Sequence, residues 1–109
     1  MRIESGQDVI ITSDLHGRIT WISPRAEEAF GFRAEELIGW PLSELLPGGS
    51  GELDDLMRRL SADGRVRDYA TTFPGSGGRV LQVNWSIDVL RDPNGAVMGA
   101  VGVVTAVPA

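Results

Sequence analysis

The order of the predicted elements is the feature that most restricts how this chain folds. Two short runs with strand character, residues 8–12 and 18–23, come first and are separated by a turn that ends at Gly17. Helical segments fill residues 24–63, and three longer strand-like runs follow them. Two strands, helices and three strands predict an α+β fold, with one five-stranded antiparallel sheet and its helices on one face.

The longest helix is predicted over residues 51–62. Its apolar side chains recur at the spacing of one helical face: Leu53, Leu56, Met57 and Leu60. Such a stripe indicates an amphipathic helix that packs on a core. Ser50 is predicted to cap its first turn, and Gly64 to end it.

The helical segments before it are short and need packing to be stable. Ser23 and Pro24 predict the start of the first segment, with the serine hydroxyl as its cap and proline at its first position. Two further short pieces are predicted near residues 34–38 and 41–47.

The run at residues 80–90 predicts a strand with one side in the core, because apolar and polar residues alternate along it. One side carries Leu81, Val83, Trp85, Ile87 and Val89. The last run, residues 96–107, is almost uncharged, and we expect it to be buried on both faces or covered by a partner. Trp21 and Trp40 are expected at a rim or an interface.

Composition narrows the class of protein. The chain has no cysteine, which excludes disulfides, zinc–thiolate sites and cysteine nucleophiles. Its net charge is −5, and direct nucleic-acid binding, which needs a basic patch, is not expected. No apolar run is long enough to span a membrane and no signal-peptide core is present, so a cytoplasmic location without membrane contact is predicted.

No set of residues predicts catalysis or metal binding. The acidic pairs Glu27–Glu28 and Glu35–Glu36 have no base nearby, and adjacent residues of a helix point to different faces. The single histidine, His16, lies in a glycine turn and is expected to be exposed. We therefore predict that the chain is not an enzyme.

The fragments at residues 14–24, 29–32, 35–39, 45–47 and 91–99 resemble, in this order, those of a PAS domain, a sensor and interaction module of signalling proteins. The resemblance covers residues 8–105. It implies a five-stranded antiparallel sheet cupping the helices, with a pocket between the sheet and the long helix. The whole chain, residues 1–109, is then expected to be one domain and a module of a larger signalling protein.

The pocket that the resemblance implies is predicted to be lined by Leu46, Leu53, Met57, Leu60, Tyr69, Trp85 and Val101. Trp85 has two interpretations, namely plain core packing or an aromatic wall for a noncovalent flavin. A haem would need a histidine on the long helix, and a covalent flavin adduct would need a cysteine. Both are disfavoured, whereas a noncovalent flavin or another small molecule stays open.

The function implied is a sensory or regulatory input domain that binds a small ligand or a partner and transmits a change in packing. The alternative is a ligand-free module that forms homodimers through its sheet face. Small residues of the last strand, among them Gly99 and Gly102, leave room for a ligand or for a partner, so the sequence does not separate the two.

Overall fold

A computed structural model describes residues 8–106 of the chain. The five strands are β1 (Asp8–Asp14), β2 (Ile19–Ile22), β3 (Arg65–Pro74), β4 (Val80–Arg91) and β5 (Val97–Ala106). The α-helices are α1 (Arg25–Phe30), α2 (Ala34–Leu37) and α3 (Gly49–Asp63), and a 3₁₀ turn spans Leu42–Leu45. The predicted α+β fold is confirmed.

The strands form one antiparallel sheet in the order β2-β1-β5-β4-β3. Strand β5 is the last of the five described strands in sequence and the middle one in space. Val104 lies opposite Val9 of β1 on one side and opposite Trp85 of β4 on the other. The first and the last described strands, β1 and β5, are therefore hydrogen-bonded to each other in the middle of the sheet.

The turn between β1 and β2 is shaped by Asp14. Its Oδ1 accepts the backbone N–H of His16 at 2.8 Å and that of Arg18 at 3.0 Å. The hydrogen bond from the backbone N–H of Arg18 is the main reason why the pKa of Asp14 lies below its usual value. Gly17 completes the turn with a φ of 77°, a left-handed conformation that suits glycine. His16 is exposed there, as predicted.

Two predicted helix caps are wrong, although the helices exist. The Ser23 hydroxyl does not cap α1, because it accepts the backbone N–H of Ile10 at 3.0 Å. Helix α3 begins two residues earlier than predicted, which places Ser50 inside it. The side chain that closes its start is Glu52, whose Oε1 accepts the backbone N–H of Gly48 at 2.8 Å.

The core is a single layer between the helices and one face of the sheet, which we call the inner face. Trp85 is 2% exposed, and Phe73 meets it edge to face with ring centroids 5.5 Å apart. Phe30 of α1 also packs on Phe73, with ring centroids 5.8 Å apart. The predicted core position of Trp85 is confirmed.

Strand β5 is buried on its inner face only. Ala100 and Val104 are buried there, whereas Val101 and Val103, on the opposite face, remain partly exposed. The strand was expected to be buried on both faces or covered by a partner, and within this chain only its inner face is buried. Residue 107 of the predicted run lies outside the described residues. Trp21 and Trp40 are 46% and 44% exposed, as expected for a rim. Within residues 8–106, no helix has the length and apolar character to cross a membrane.

Candidate functional site

The space between α3 and the inner face is almost completely filled. A small cavity of about 10 Å³ remains there, which we call the inner cavity. Four of the predicted pocket residues line it, namely Leu53, Met57, Leu60 and Trp85. These four residues come from α3 and β4, and whether they hold a ligand stays a prediction.

Val101 does not belong to this wall. It lies opposite Thr12 and Asp88, and it points to the solvent side of the sheet. Its neighbours Ala100 and Gly102 take its place in the inner cavity. The prediction for Val101 is wrong because alternation along β5 puts every second residue on the other face.

Leu46 and Tyr69 lie elsewhere on the helix side of the sheet. Leu46 is buried beside a separate open hollow of about 220 Å³ near Phe73 and Val80, at the end of β3. Tyr69 packs on the core, and its hydroxyl donates a hydrogen bond to Glu52. The structure therefore separates these two residues from the inner cavity.

Gly102 explains why the cavity is so small. A β-carbon built on Gly102 would stand 2.1 Å from Nε1 of Trp85, so the indole occupies the space that a side chain would take. Sequence reasoning noted the small residues of this strand and left open what fills the space beside them. The indole fills it.

Two buried polar atoms belong to the same cavity. Ser13 is 3% exposed and Trp85 is 2% exposed, and both line the inner cavity. Within the described part of the chain, neither Ser13 Oγ nor Trp85 Nε1 has a hydrogen-bond partner. Sequence reasoning missed Ser13, because a serine next to a turn carries no signal of burial.

A polar cluster ties the start of α3 to the edge strand β3. Glu52 Oε2 accepts hydrogen bonds from the hydroxyls of Tyr69 and Thr71, at 2.5 and 2.9 Å. The hydrogen bond to Glu52 and, after it, burial raise the pKa of Tyr69 to about 12. The Arg59 guanidinium lies 5.7 Å from the centre of the Tyr69 ring. This cluster holds α3 in place over the sheet.

An open groove of about 360 Å³ lies at the C-terminal end of α3, and we call it the end groove. It shares Met57 and Leu60 with the inner cavity, so the two spaces adjoin at these side chains. Leu15, which is 64% exposed, and Arg91 stand at its sides. The groove has the size of a small-molecule site, whereas the inner cavity does not.

The solvent side of the sheet, which we call the outer face, has an apolar centre. The ladder pairs Val103 with Ile10 and Ser86, and all three are partly exposed. The side chains of the outer face include Ile10, Thr12, Trp21, Ser86, Val101 and Val103.

No catalytic constellation is visible among these sites. Within residues 8–106, no group of three or more His, Asp or Glu side chains could hold a metal ion. The histidine of the β1–β2 turn lies at the surface, apart from the inner cavity.

Comparisons with known proteins agree with the fold. Residues 3–108 match the family described as PAS fold. The structure is similar to the crystal structure of the PAS domain of a protein from Colwellia psychrerythraea, with a TM-score of 0.81 and 20% identity. That match covers 92% of this chain and 86% of the other. A comparison with curated proteins finds no match.

Proposed function

The chain belongs to the PAS-fold family, and from that membership we propose that it is a regulatory module of a signalling protein that acts by pairing with a second copy of itself. PAS domains are generally sensor or interaction modules and are typically non-catalytic. The observation that carries the proposal is a contrast between the two faces of the sheet. The inner face is filled, and the outer face exposes an apolar centre.

The filled inner face argues against a resident organic ligand in this conformation. Pockets for drug-sized molecules have volumes of roughly 300–1,000 Å³. The inner cavity, at about 10 Å³, has room for about one water molecule. A flavin ring system would fit only after Trp85 had left its place over Gly102.

The outer face supports pairing through its middle strands. Val101 and Val103 lie on the central strand, Ile10 lies on β1 beside it, and Trp21 is exposed on β2. Burying such side chains against a second copy removes apolar surface from water, which is the main favourable contribution to association.

Charge also favours the outer face. The chain carries a net charge of −5, so two copies repel each other unless they meet where charge is balanced. Exposed acids are concentrated on the helices, for example Glu27, Glu35 and Asp54. On the outer face Asp88 is paired with Arg67 at 3.0 Å.

Strands β4 and β5 would transmit a change at the outer face to the packing of α3 on the inner face. Trp85 and Ala100 extend from the inner side of β4 and β5 toward α3, while neighbouring residues of these strands form the outer face. A partner that shifts β4 against β5 thus changes how α3 packs. Regulation then is a shift between two packings of the helix, read by other domains of the same protein.

Sedimentation velocity over a wide range of concentrations tests this proposal. Val103→Glu places a charge at the centre of the outer face, and we expect it to stay monomeric under conditions where the parent protein associates. Ser50→Glu, at an exposed position of α3, is the matched control and should associate like the parent. A parent protein that is monomeric throughout, or a Val103→Glu variant that associates equally well, contradicts the proposal.

A second candidate function is sensing of a small molecule. The end groove favours it, because Met57 and Leu60 line both the groove and the inner cavity. Methionine side chains adapt easily, so a shift of Met57 would join the two spaces. Native mass spectrometry and an absorption spectrum of the freshly purified protein test this function, since a bound ligand or a noncovalent flavin would add mass or colour.

A further inference from the structure

We propose that the inner cavity is a binding site for one water molecule, held between the hydroxyl of Ser13 and the indole N–H of Trp85. This inference goes beyond the proposed function and does not depend on it. It concerns the interior of the domain, whereas the proposed pairing concerns the outer face.

The first argument is the stability that the fold loses when two buried polar atoms have no hydrogen-bond partner. A buried polar group without a hydrogen bond destabilises a protein, because it gives up its bonds to water on folding and gains none in return. Ser13 Oγ and Trp85 Nε1 are both in this condition within the described residues. A partner that satisfies both atoms at once would remove this cost from the folded state.

The second argument is placement. Ser13 lies opposite Ala100 on β5, and Trp85 Nε1 lies over Gly102, the next residue of β5 on the same face. Ser13 and Gly102 are diagonal neighbours in the ladder of β1 and β5, and such neighbours are about 7–8 Å apart between Cα atoms. One small molecule can span the space between the Ser13 hydroxyl and the indole nitrogen that lies over Gly102. Both residues line the inner cavity.

The third argument is size and chemistry. A volume of about 10 Å³ is close to the smallest that holds one water molecule, and it excludes a larger ligand. The indole N–H only donates, so the occupant must accept from it. Water accepts that bond with its oxygen and donates one of its own hydrogens to Ser13 Oγ. The surrounding wall, including Leu56 and Ile87, is apolar and has no room for a second molecule.

Proton NMR tests the site directly. The chain has three tryptophans, and Trp21 and Trp40 are exposed, so the Trp85 indole signal is assigned by its loss in Trp85→Phe. We expect a cross-relaxation peak between this indole proton and a long-lived water. It is recorded in the rotating frame, where peaks from direct contact and peaks from proton exchange have opposite signs. In Ser13→Ala the contact should be lost or strongly weakened, and the indole signal should shift.

A double-mutant cycle gives an independent readout. The unfolding constant of the double variant Ser13→Ala/Trp85→Phe should differ at least about threefold from the product of the single effects, because one water couples the two sites. Thr12→Ala is the control, because it removes a hydroxyl from the outer face of the same strand. Its effect on the unfolding constant should be additive with that of Trp85→Phe.

An additive cycle, or an indole proton without a water contact in the parent protein, overturns the proposal. A crystal structure with a larger molecule between the two side chains also overturns it. Should Trp85→Phe fail to fold, Trp21→Phe and Trp40→Phe, at exposed positions, identify the other two indole signals and so assign that of Trp85. The comparison of the parent with Ser13→Ala then still decides, because Ser13→Ala keeps the Trp85 indole. None of these outcomes depends on whether the protein forms dimers.

Discussion

Glu52 and Tyr69 form the polar connection between α3 and β3, with the phenol donating a 2.5 Å hydrogen bond to Glu52 Oε2. Burial by itself would raise the pKa of Glu52. The hydrogen bonds from Tyr69, the backbone N–H of Gly48 and the hydroxyl of Thr71 outweigh it, so the pKa lies below its usual value. The carboxylate is therefore held in its charged form, as the acceptor of three bonds.

We expect the stability of the domain to fall in acid because of Glu52. A carboxyl group whose pKa is lowered by folding stabilises the protein above its unfolded pKa, and this stabilisation is lost as pH falls through the folded pKa. Glu52→Gln should lower the free energy of unfolding by about 1–2 kcal/mol at neutral pH and reduce its dependence on pH below about 5. Urea denaturation at several pH values measures both.

The matched control for Glu52 is Asp54→Asn, which removes an exposed carboxylate from the same helix. It should change the free energy of unfolding by less than about 0.5 kcal/mol. Equal effects of the two substitutions would show that the hydrogen bonds of Glu52 contribute nothing measurable.

Tyr69 predicts an alkaline limit to stability. Its pKa is raised from 10.0 to about 12, so its contribution is complete below pH 10 and is lost as pH rises toward 12. Because Tyr69 is the only tyrosine, the near-ultraviolet absorbance of phenolate reports on it alone. We expect a midpoint near 12 in the folded protein and a lower one in Glu52→Gln. A midpoint at 10 in the parent would contradict the hydrogen bond.

Two glycine-to-alanine substitutions should have opposite effects. Gly102→Ala drives a methyl group into the Trp85 indole and should lower the free energy of unfolding by about 1–3 kcal/mol. At Gly51, inside α3, a methyl group meets nothing within 4 Å, and Gly51→Ala should stabilise the protein by about 0.5–1 kcal/mol. Urea denaturation followed by tryptophan fluorescence measures both. A Gly102→Ala variant as stable as the parent would show that the contact of Trp85 with Gly102 is not tight.

The turn between β4 and β5 depends on the backbone of Gly95. Its φ is 88°, which disfavours β-branched residues, and a β-carbon there meets no other atom within 4 Å. Gly95→Val should therefore lower the free energy of unfolding by about 1–2 kcal/mol through the backbone alone. Gly95→Asn should cost less, because asparagine tolerates this conformation. Thermal unfolding of both variants checks the order, and an unchanged melting temperature for Gly95→Val would refute it.

The sequence predicted those elements whose pattern is periodic. The stripe from Leu53 to Leu60 and the alternation around Trp85 each follow the period of one secondary structure, so α3 and the inner face of β4 were predicted correctly. Local caps were less predictable, because a tertiary partner can take the same side chain. The Ser23 hydroxyl bonds Ile10, thirteen residues away, in place of its own helix.

The site was harder to predict than the fold for two physical reasons. Nearly every residue of β5 is small or apolar, so the composition of the strand does not tell whether Val101 or Gly102 lies on its buried face. The volume of the inner cavity depends on how the Trp85 ring packs over Gly102, and a sequence pattern carries no information on such a contact. The polar atom of Ser13 was overlooked for the same reason.

The central position of β5 also sets the order in which the sheet is assembled as the protein is made. Until Val97–Ala106 has been synthesised, β1 and β2 can form one hairpin and β3 and β4 another, but no strand links the two hairpins into one sheet. Two-stranded hairpins are marginal in water. A nascent chain that stops before this segment therefore exposes Trp85 and the apolar stripe of α3, and it is a natural target for chaperones or proteases until synthesis of the central strand lets the core close.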